Sequence, residues 1–141
     1  MAHELIAICD ECKQAVADGE GSLWVDMAEV DQHTINVRAW KQLEAKPATD
    51  RLQTYSFSSL LSYPEPAPWR VHHAACDPAP DANAYAIEVH RCRSWADLVV
   101  WTSHLMGKSW LAHTDWSKVL EGAGESLGRR IVPTVPPTLH R

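Results

Sequence analysis

Two short pairs of metal-ligating residues stand far apart in this chain of 141 residues. Cys9 and Cys12 form a Cys-x-x-Cys motif, and about sixty residues later His73 and Cys76 form a His-x-x-Cys motif. Three thiolates and one imidazole are the number and kind of donors that a closed tetrahedral zinc site needs. The spacing therefore predicts a structural Zn²⁺ ion bound by these four residues.

Other assignments of the same residue types stay open. His72 could replace its neighbour, although His73 has the tighter spacing to the following cysteine. Cys92 could complete a four-cysteine site, although it follows a predicted strand on the side away from its apolar residues. An isolated Cys-x-x-Cys motif can also be redox-active, and buried cysteines without a shared role are common.

A catalytic metal is the less favoured interpretation of these ligands. It needs three protein ligands, an open coordination position and a nearby base. Four good ligands favour a closed site, and His90, His104 and His113 have no partner at the spacing of a nuclease motif. The sequence thus predicts a non-enzymatic protein, with a metal-dependent hydrolase or nuclease as a third hypothesis.

Short strands are predicted on either side of the ligand pairs. Leu5–Ile8 leads into the first pair, and period-two alternation predicts strands at Leu23–Val30, Trp69–Val71 and Tyr85–Val89. Residues three apart share a face of a helix, so the second pair is predicted on a short helix that ends at Pro78. This arrangement is treble-clef-like.

The clearest helix signals lie in the second half of the chain. Ser94 with Asp97 forms a capping box, and apolar residues follow at helical spacing as far as Gly107. A second short helix begins after Thr114 or Asp115. Together these elements predict an α+β fold with a treble-clef-like zinc site, a small antiparallel sheet and a C-terminal helix pair.

The remaining segments divide the chain. Residues 38–46 are rich in helix formers, and a helix there is expected to end before Pro47. Residues 47–68 hold several prolines and serines and are predicted to form a surface loop. We expect a single zinc-stabilised domain at 1–121 and a flexible tail at 122–141.

Composition and charge narrow the compartment and the partners. Apolar residues make up 45% and charged residues 22%, which is typical of a globular protein. The net charge is −5, and residues 1–31 hold eight acids against one base, which disfavours non-specific binding to phosphates. No leader peptide or membrane span is recognised, so we expect a cytoplasmic protein with reduced thiols.

Tryptophan is abundant, with seven Trp against one Phe. The residues around the helix pair predict a contact surface for a partner protein, since tryptophan is enriched at interfaces. They are Trp95, Trp101, Lys108, Trp110 and Trp116. The same rings could instead pack the helices onto the sheet. The helix pair could also read DNA, although its basic residues are sparse.

Three segments together resemble a group of small proteins encoded in actinobacterial genomes, their phages and their integrative elements. The segments are CDEC, WRVHHAACDP and WADLVVWTSHLMGKSWLAHTDW. The similarity covers residues 5–120 and implies a small regulatory or host-interaction factor that contacts a host or phage protein. It implies metal ligands at Cys9, Cys12, His73 and Cys76, and it implies no reaction.

Overall fold

The computed structural model describes residues 3–45, 63–125 and 130–135. Within these ranges the fold is α+β, with two small antiparallel sheets and three α-helices. The strands are β1 (Leu5–Ile8), β2 (Ala15–Val16), β3 (Gly21–Asp26), β4 (Trp69–His73), β5 (Ala84–Glu88) and β6 (Ile131–Pro133). The helices are α1 (Met27–Glu44), α2 (Trp95–Met106) and α3 (Trp116–Glu125). The predicted fold class, with its sheet and its C-terminal helix pair, is confirmed.

The predicted sheet has β3 at its centre, with β4 and β5 antiparallel on either side. Leu23 lies opposite Val71 on one neighbour and Ile87 on the other, and all three side chains are buried. Period-two alternation identified this sheet because one of its faces packs against the core.

The predicted strand at 23–30 and helix at 38–46 need correction, because β3 ends at Asp26 and α1 begins at Met27. The Asp26 carboxylate accepts a hydrogen bond from the backbone N–H of Ala28 and caps the helix. Val30, His33 and Val37 then repeat at helical spacing along the buried side. In the sequence, Asp26 fits the polar positions of an alternating strand. A prediction from alternation alone therefore extends the strand beyond the true boundary between β3 and α1.

A second sheet joins the two ends of the described chain. Its order is β2-β1-β6, and Ala7 of β1 lies opposite both Val16 and Ile131. This corrects the predicted tail from residue 122, because residues 122–125 belong to α3 and 131–133 form β6. Residues 126–129 and 136–141 lie outside the described ranges.

The predicted loop at 47–68 is described only from residue 63 onward. Ala67 forms an isolated parallel bridge with Thr114, and residues 63–68 hold no helix. Further along the chain, the capping box of α2 is present as predicted, with both the Ser94 and the Asp97 side chains bonded to backbone N–H groups. Gly107 follows the last helical residue.

Tryptophan side chains fill the core between the main sheet and the C-terminal helices. The ring of Trp69 lies 5.1 Å from that of Trp116, 6.2 Å from Tyr85 and 6.3 Å from Trp110, measured between centroids. The indole N–H of Trp69 donates to the Thr114 hydroxyl at 3.0 Å. A buried indole with a satisfied N–H is a stable core element.

Side chains close the outer edge of β4, beside which the described residues place no strand. The N–H of Trp69 donates to Asp115, and the carbonyl of Trp69 accepts from Arg130, which is itself paired with Asp115 at 2.7 Å. Val71 bonds twice to Asp10, through its N–H to the carboxylate and through its carbonyl to the backbone N–H. These bonds replace the missing strand and satisfy an otherwise open edge.

A pair of histidines fastens α1 to the turn before α3. The Nδ1 atoms of His33 and His113 lie 2.9 Å apart, and His33 Nε2 is 3.3 Å from the carbonyl of Pro64. Burial lowers the pKa of His113, so its neutral form is favoured. In the described residues, none of the helices is long and apolar enough to cross a membrane.

The assignment of β6 to the fold is tested by Ile131→Ala. Ile131 is 1% exposed, so truncation should lower the free energy of unfolding by roughly 2–5 kcal/mol through lost burial and a cavity. Denaturant titration of full-length protein measures the change. Val135→Ala is the control, since Val135 is 76% exposed, and equal stability of the two variants would contradict the assignment.

Candidate metal centre

The first ligand pair lies in the tight loop that joins β1 to β2. The N–H of Cys9 donates to the carbonyl of Gln14, and the N–H of Lys13 donates back to the carbonyl of Cys9. Lys13 adopts the left-handed conformation, with φ of +64°, which turns the chain sharply after Cys12. The loop therefore brings both thiols to one side of the β1–β2 hairpin.

The second pair lies at the end of β4 and in the turn that follows it. His73 is the last residue of the strand, and the N–H of Cys76 donates to its carbonyl at 2.9 Å. The predicted short helix is wrong, because the N–H of Ala74 bonds to the carbonyl of Glu20 and the chain stays beside β3. A turn with the same three-residue spacing still places both side chains together.

The two pairs meet as the sequence predicts. The ligand atoms of Cys9, Cys12, His73 and Cys76 all lie within 4.8 Å of one another. His73 Nδ1 is 3.2 Å from the sulfur of Cys12 and 3.8 Å from that of Cys76. Three thiols and an imidazole at these distances could hold a metal ion.

The imidazole of His73 is oriented by the neighbouring hairpin. Its Nε2 lies 3.1 Å from the carbonyl oxygen of Ala15, so Nε2 carries a proton and Nδ1 is the atom that faces the sulfurs. Such a hydrogen bond fixes the tautomer of a ligating histidine. Gly21 permits this approach, because a Cβ at that position would collide with the carbonyl of His72. The hydrogen bond with Cys9 raises the pKa of His73, so a proton on Nδ1 would have to leave before this atom could bind a metal.

The thiols of the cluster differ in their pKa values. Burial raises the pKa of Cys9, but the backbone N–H groups of Cys12, His73 and Glu11 outweigh it and set the pKa at about 6. Burial and the neighbouring thiols raise the pKa of Cys76 to about 11. Cys9 is thus a thiolate at neutral pH, whereas Cys76 has to lose a proton before it can bind a metal.

Neither alternate ligand joins the cluster. His72 lies on the other face of β4, and its Nδ1 accepts a hydrogen bond from the indole N–H of Trp24 at 3.1 Å. Cys92 is buried in the core, where burial raises the pKa of its thiol to about 12. Strand alternation places His72 and His73 on opposite faces of β4, and the three-residue spacing to Cys76 favoured the histidine that lies in the cluster.

The residues predicted to form a contact surface are buried to different degrees. Trp116 is buried, and Trp110 is half-buried, with its ring 5.1 Å from that of Tyr85. The half-buried Lys108 has its ammonium over the Tyr85 ring, 5.8 Å from the centroid. Trp101 is half-buried, and Trp95 is exposed at the start of α2.

Besides Trp95, three further apolar side chains of α2 face solvent. Val99, Val100 and Met106 are 68%, 66% and 73% exposed. Helical spacing predicts Val99 and Met106 on one apolar stripe with Leu98 and Leu105, and this prediction is corrected, because only the two leucines are buried. The stripe is wider than the part of the helix that contacts the core.

Comparison with protein-family models, with curated proteins and with solved structures finds no match to this chain. Function is therefore inferred from the chemistry of the four donors and from the surfaces around them.

The unequal thiol pKa values predict how metal binding depends on pH. Cys76, with a pKa of about 11, must release a proton on binding, so the affinity for a divalent probe such as Co²⁺ should rise at least about tenfold from pH 7 to pH 8. Competition against a chromophoric chelator measures the affinity. Cys92→Ala should show the same slope because it lies outside the cluster, and a pH-independent affinity would contradict the prediction.

Proposed function

We propose that this protein is a non-enzymatic binding module whose fold is fastened by one structural Zn²⁺ ion. The convergence of three cysteines and one histidine within 4.8 Å carries the proposal. Bond lengths of about 2.3 Å to sulfur and about 2.0 Å to nitrogen in a tetrahedral zinc site put sulfur and nitrogen about 3.5 Å apart. The distances from His73 Nδ1 to Cys12 and Cys76, 3.2 and 3.8 Å, bracket that value.

A structural role fits the number of donors better than a catalytic one. Four protein ligands complete a tetrahedron, whereas a catalytic zinc keeps a position open for water or substrate. The ion would tie the loop after β1 to the end of β4, and these segments are sixty residues apart in sequence. Because an unfolded chain does not preform such a site, metal binding adds directly to the free energy of folding.

Cys12→Ala tests the zinc site, and its exposed position means that the substitution leaves no core cavity. The wild-type chain should retain one zinc per molecule, and the variant should bind zinc more than about 100-fold more weakly, since even outer-shell changes cost 10–100-fold. Elemental analysis and competition against a chelator measure both. Cys92→Ala is the matched control and should keep its zinc.

Two results would contradict a structural zinc. One is a freshly reduced wild-type protein that binds no zinc, and the other is unchanged far-ultraviolet circular dichroism after complete chelation. A Cys12→Ala variant that keeps one zinc per chain would remove this residue from the site.

We further propose that the outer face of α2 contacts a partner protein. Val99, Val100 and Met106 expose apolar surface, and exposed apolar patches of this kind mark interaction sites. Helix α2 contains no lysine or arginine, and the nearby Arg93 is buried in an ion pair with Asp18. A face without cations suits an apolar protein surface better than the phosphates of DNA.

The contact face is tested with the double variant Val99→Glu and Val100→Glu. Both positions are exposed, so the variant should fold normally but lose a partner that wild-type protein retains from its host extract in about 1 M NaCl, where ionic contacts are screened. Ile35→Glu is the control, because this apolar residue is 55% exposed on a different helix. The proposal would be contradicted if the double variant retained the partner as well as wild type does. It would also be contradicted if wild-type protein retained only duplex DNA and released it as the salt concentration rose.

A further inference from the structure

A cleft of about 590 Å³ runs along the outer edge of β4, beside the loop that carries Cys9 and Cys12. It is separate from the four metal ligands, none of which lines it. Its polar lining comes from the loop, from β4, from α3 and from the residue before β6. These residues are Asp10, Glu11, Arg70, His72, Lys118 and Arg130.

His72 is a buried residue whose second ring nitrogen bonds to nothing in the described ranges 3–45, 63–125 and 130–135. Its side chain is 3% exposed, and its Nδ1 accepts from the indole of Trp24, so the proton of the neutral ring is on Nε2. Nε2 has no bonding partner in the described parts of the chain. Since those parts hold no fully enclosed polar side-chain atom without a partner, Nε2 reaches the cleft that His72 lines.

Arg130 presents a second, firmly held donor. Both of its hydrogen bonds, to the carbonyl of Trp69 and to Asp115, are made by Nη1. Among the described residues, nothing bonds to Nε or Nη2, so these atoms keep their donor capacity while the guanidinium is held in place. Because the Arg130 side chain is already held in one conformation, it would lose little conformational entropy when a ligand binds.

Lys118 supplies a third donor from α3. Its ammonium is mostly exposed and donates one hydrogen bond to the Glu121 carboxylate at 3.5 Å, which leaves its other N–H groups for a ligand. Of the two acids that line the cleft, Asp10 accepts a hydrogen bond from the N–H of Val71, and Glu11 is exposed to solvent. Glu29, outside the cleft, is bound by both terminal nitrogens of Arg70.

We propose that this cleft binds the phosphate group of a small phosphorylated molecule. His72 Nε2, Arg130 and Lys118 donate from three separate elements, which suits a tetrahedral oxyanion with several acceptor oxygens better than a flat carboxylate. Arg70, Lys118 and Arg130 line the cleft beside Asp10 and Glu11, and each cation also has an acid partner. Recognition therefore rests on the directed N–H donors that remain, and not on net charge. The volume leaves room for the body of the molecule beyond its phosphate.

The test follows the indole N–H signal of Trp24 by nuclear magnetic resonance in the full chain as purified. This group bonds to His72, so a ligand on Nε2 should shift its signal. Inorganic phosphate, phenyl phosphate and sodium chloride are titrated at equal ionic strength. We expect saturable shifts with both phosphates, tighter binding of phenyl phosphate, and no saturable shift with chloride.

Lys118→Met should weaken the binding of phenyl phosphate by about tenfold or more, as expected for one charge-assisted hydrogen bond. Lys41→Met is the matched control on α1, where the lysine is exposed and outside the cleft, and it should bind like wild type. Equal loss in both variants, or none in Lys118→Met, would overturn the proposal. Equal affinity for inorganic phosphate and phenyl phosphate would mean that the cleft binds the free phosphate ion. If only duplex DNA gave a saturable shift, the proposal of a small phosphorylated ligand would be overturned.

Discussion

The outer edge of β4 determines how the parts of this protein fit together. At Trp69 and Val71 the backbone groups that a neighbouring strand would bind are taken by Asp10, Asp115 and Arg130. Asp10 belongs to the cysteine loop, Asp115 precedes α3, and Arg130 precedes β6. The same bonds therefore seat three distant segments against one strand. A strand edge left open in water invites pairing with other chains, and closing it with side chains removes this hazard. It also sets the cysteine loop beside the strand that ends in His73.

The four clustered residues could be predicted because each pair is local in sequence. Two cysteines three residues apart need only a tight loop to converge, and the three-residue spacing to Cys76 favoured His73 over the buried His72. The two pairs meet through contacts between segments sixty residues apart in sequence. The four donor residues could therefore be predicted, but the contacts that hold them together could not. The hydrogen bond from His73 to Ala15 and the space left by Gly21 have no signal in the spacing. A short helix was predicted at His73 and Cys76 for a related reason. A helix and a turn both bring residues three apart together, so the spacing could not distinguish them.

Elements that depend on distant partners were the ones missed. The segment Ile131–Pro133 lies among glycines and prolines and resembles a tail, yet it pairs with β1 and buries Ile131. Helix α1 starts eleven residues earlier than its strongest helix formers because Asp26 caps it. The tryptophans misled in another way. Their size makes them valuable in cores and at interfaces alike, and here the rings of Trp69, Trp110 and Trp116 pack inward while small aliphatic side chains face solvent.

The pairing of β1 with β6 determines how the hydrogen bonds between these strands would break under a pulling force. The two strands are antiparallel, and Leu5 faces Pro133 while Ala7 faces Ile131. Chain flanking either strand therefore leaves from the same end of the ladder, where Thr134 bonds to Glu4. A force that pulls the flanks apart would break these bonds one after another, like a zipper, instead of shearing them together. Beyond this ladder β1 runs directly into Cys9. Unzipping from the flanks would therefore bring the load to the loop that holds Cys9 and Cys12, and a metal ion bound there would be the next point of resistance.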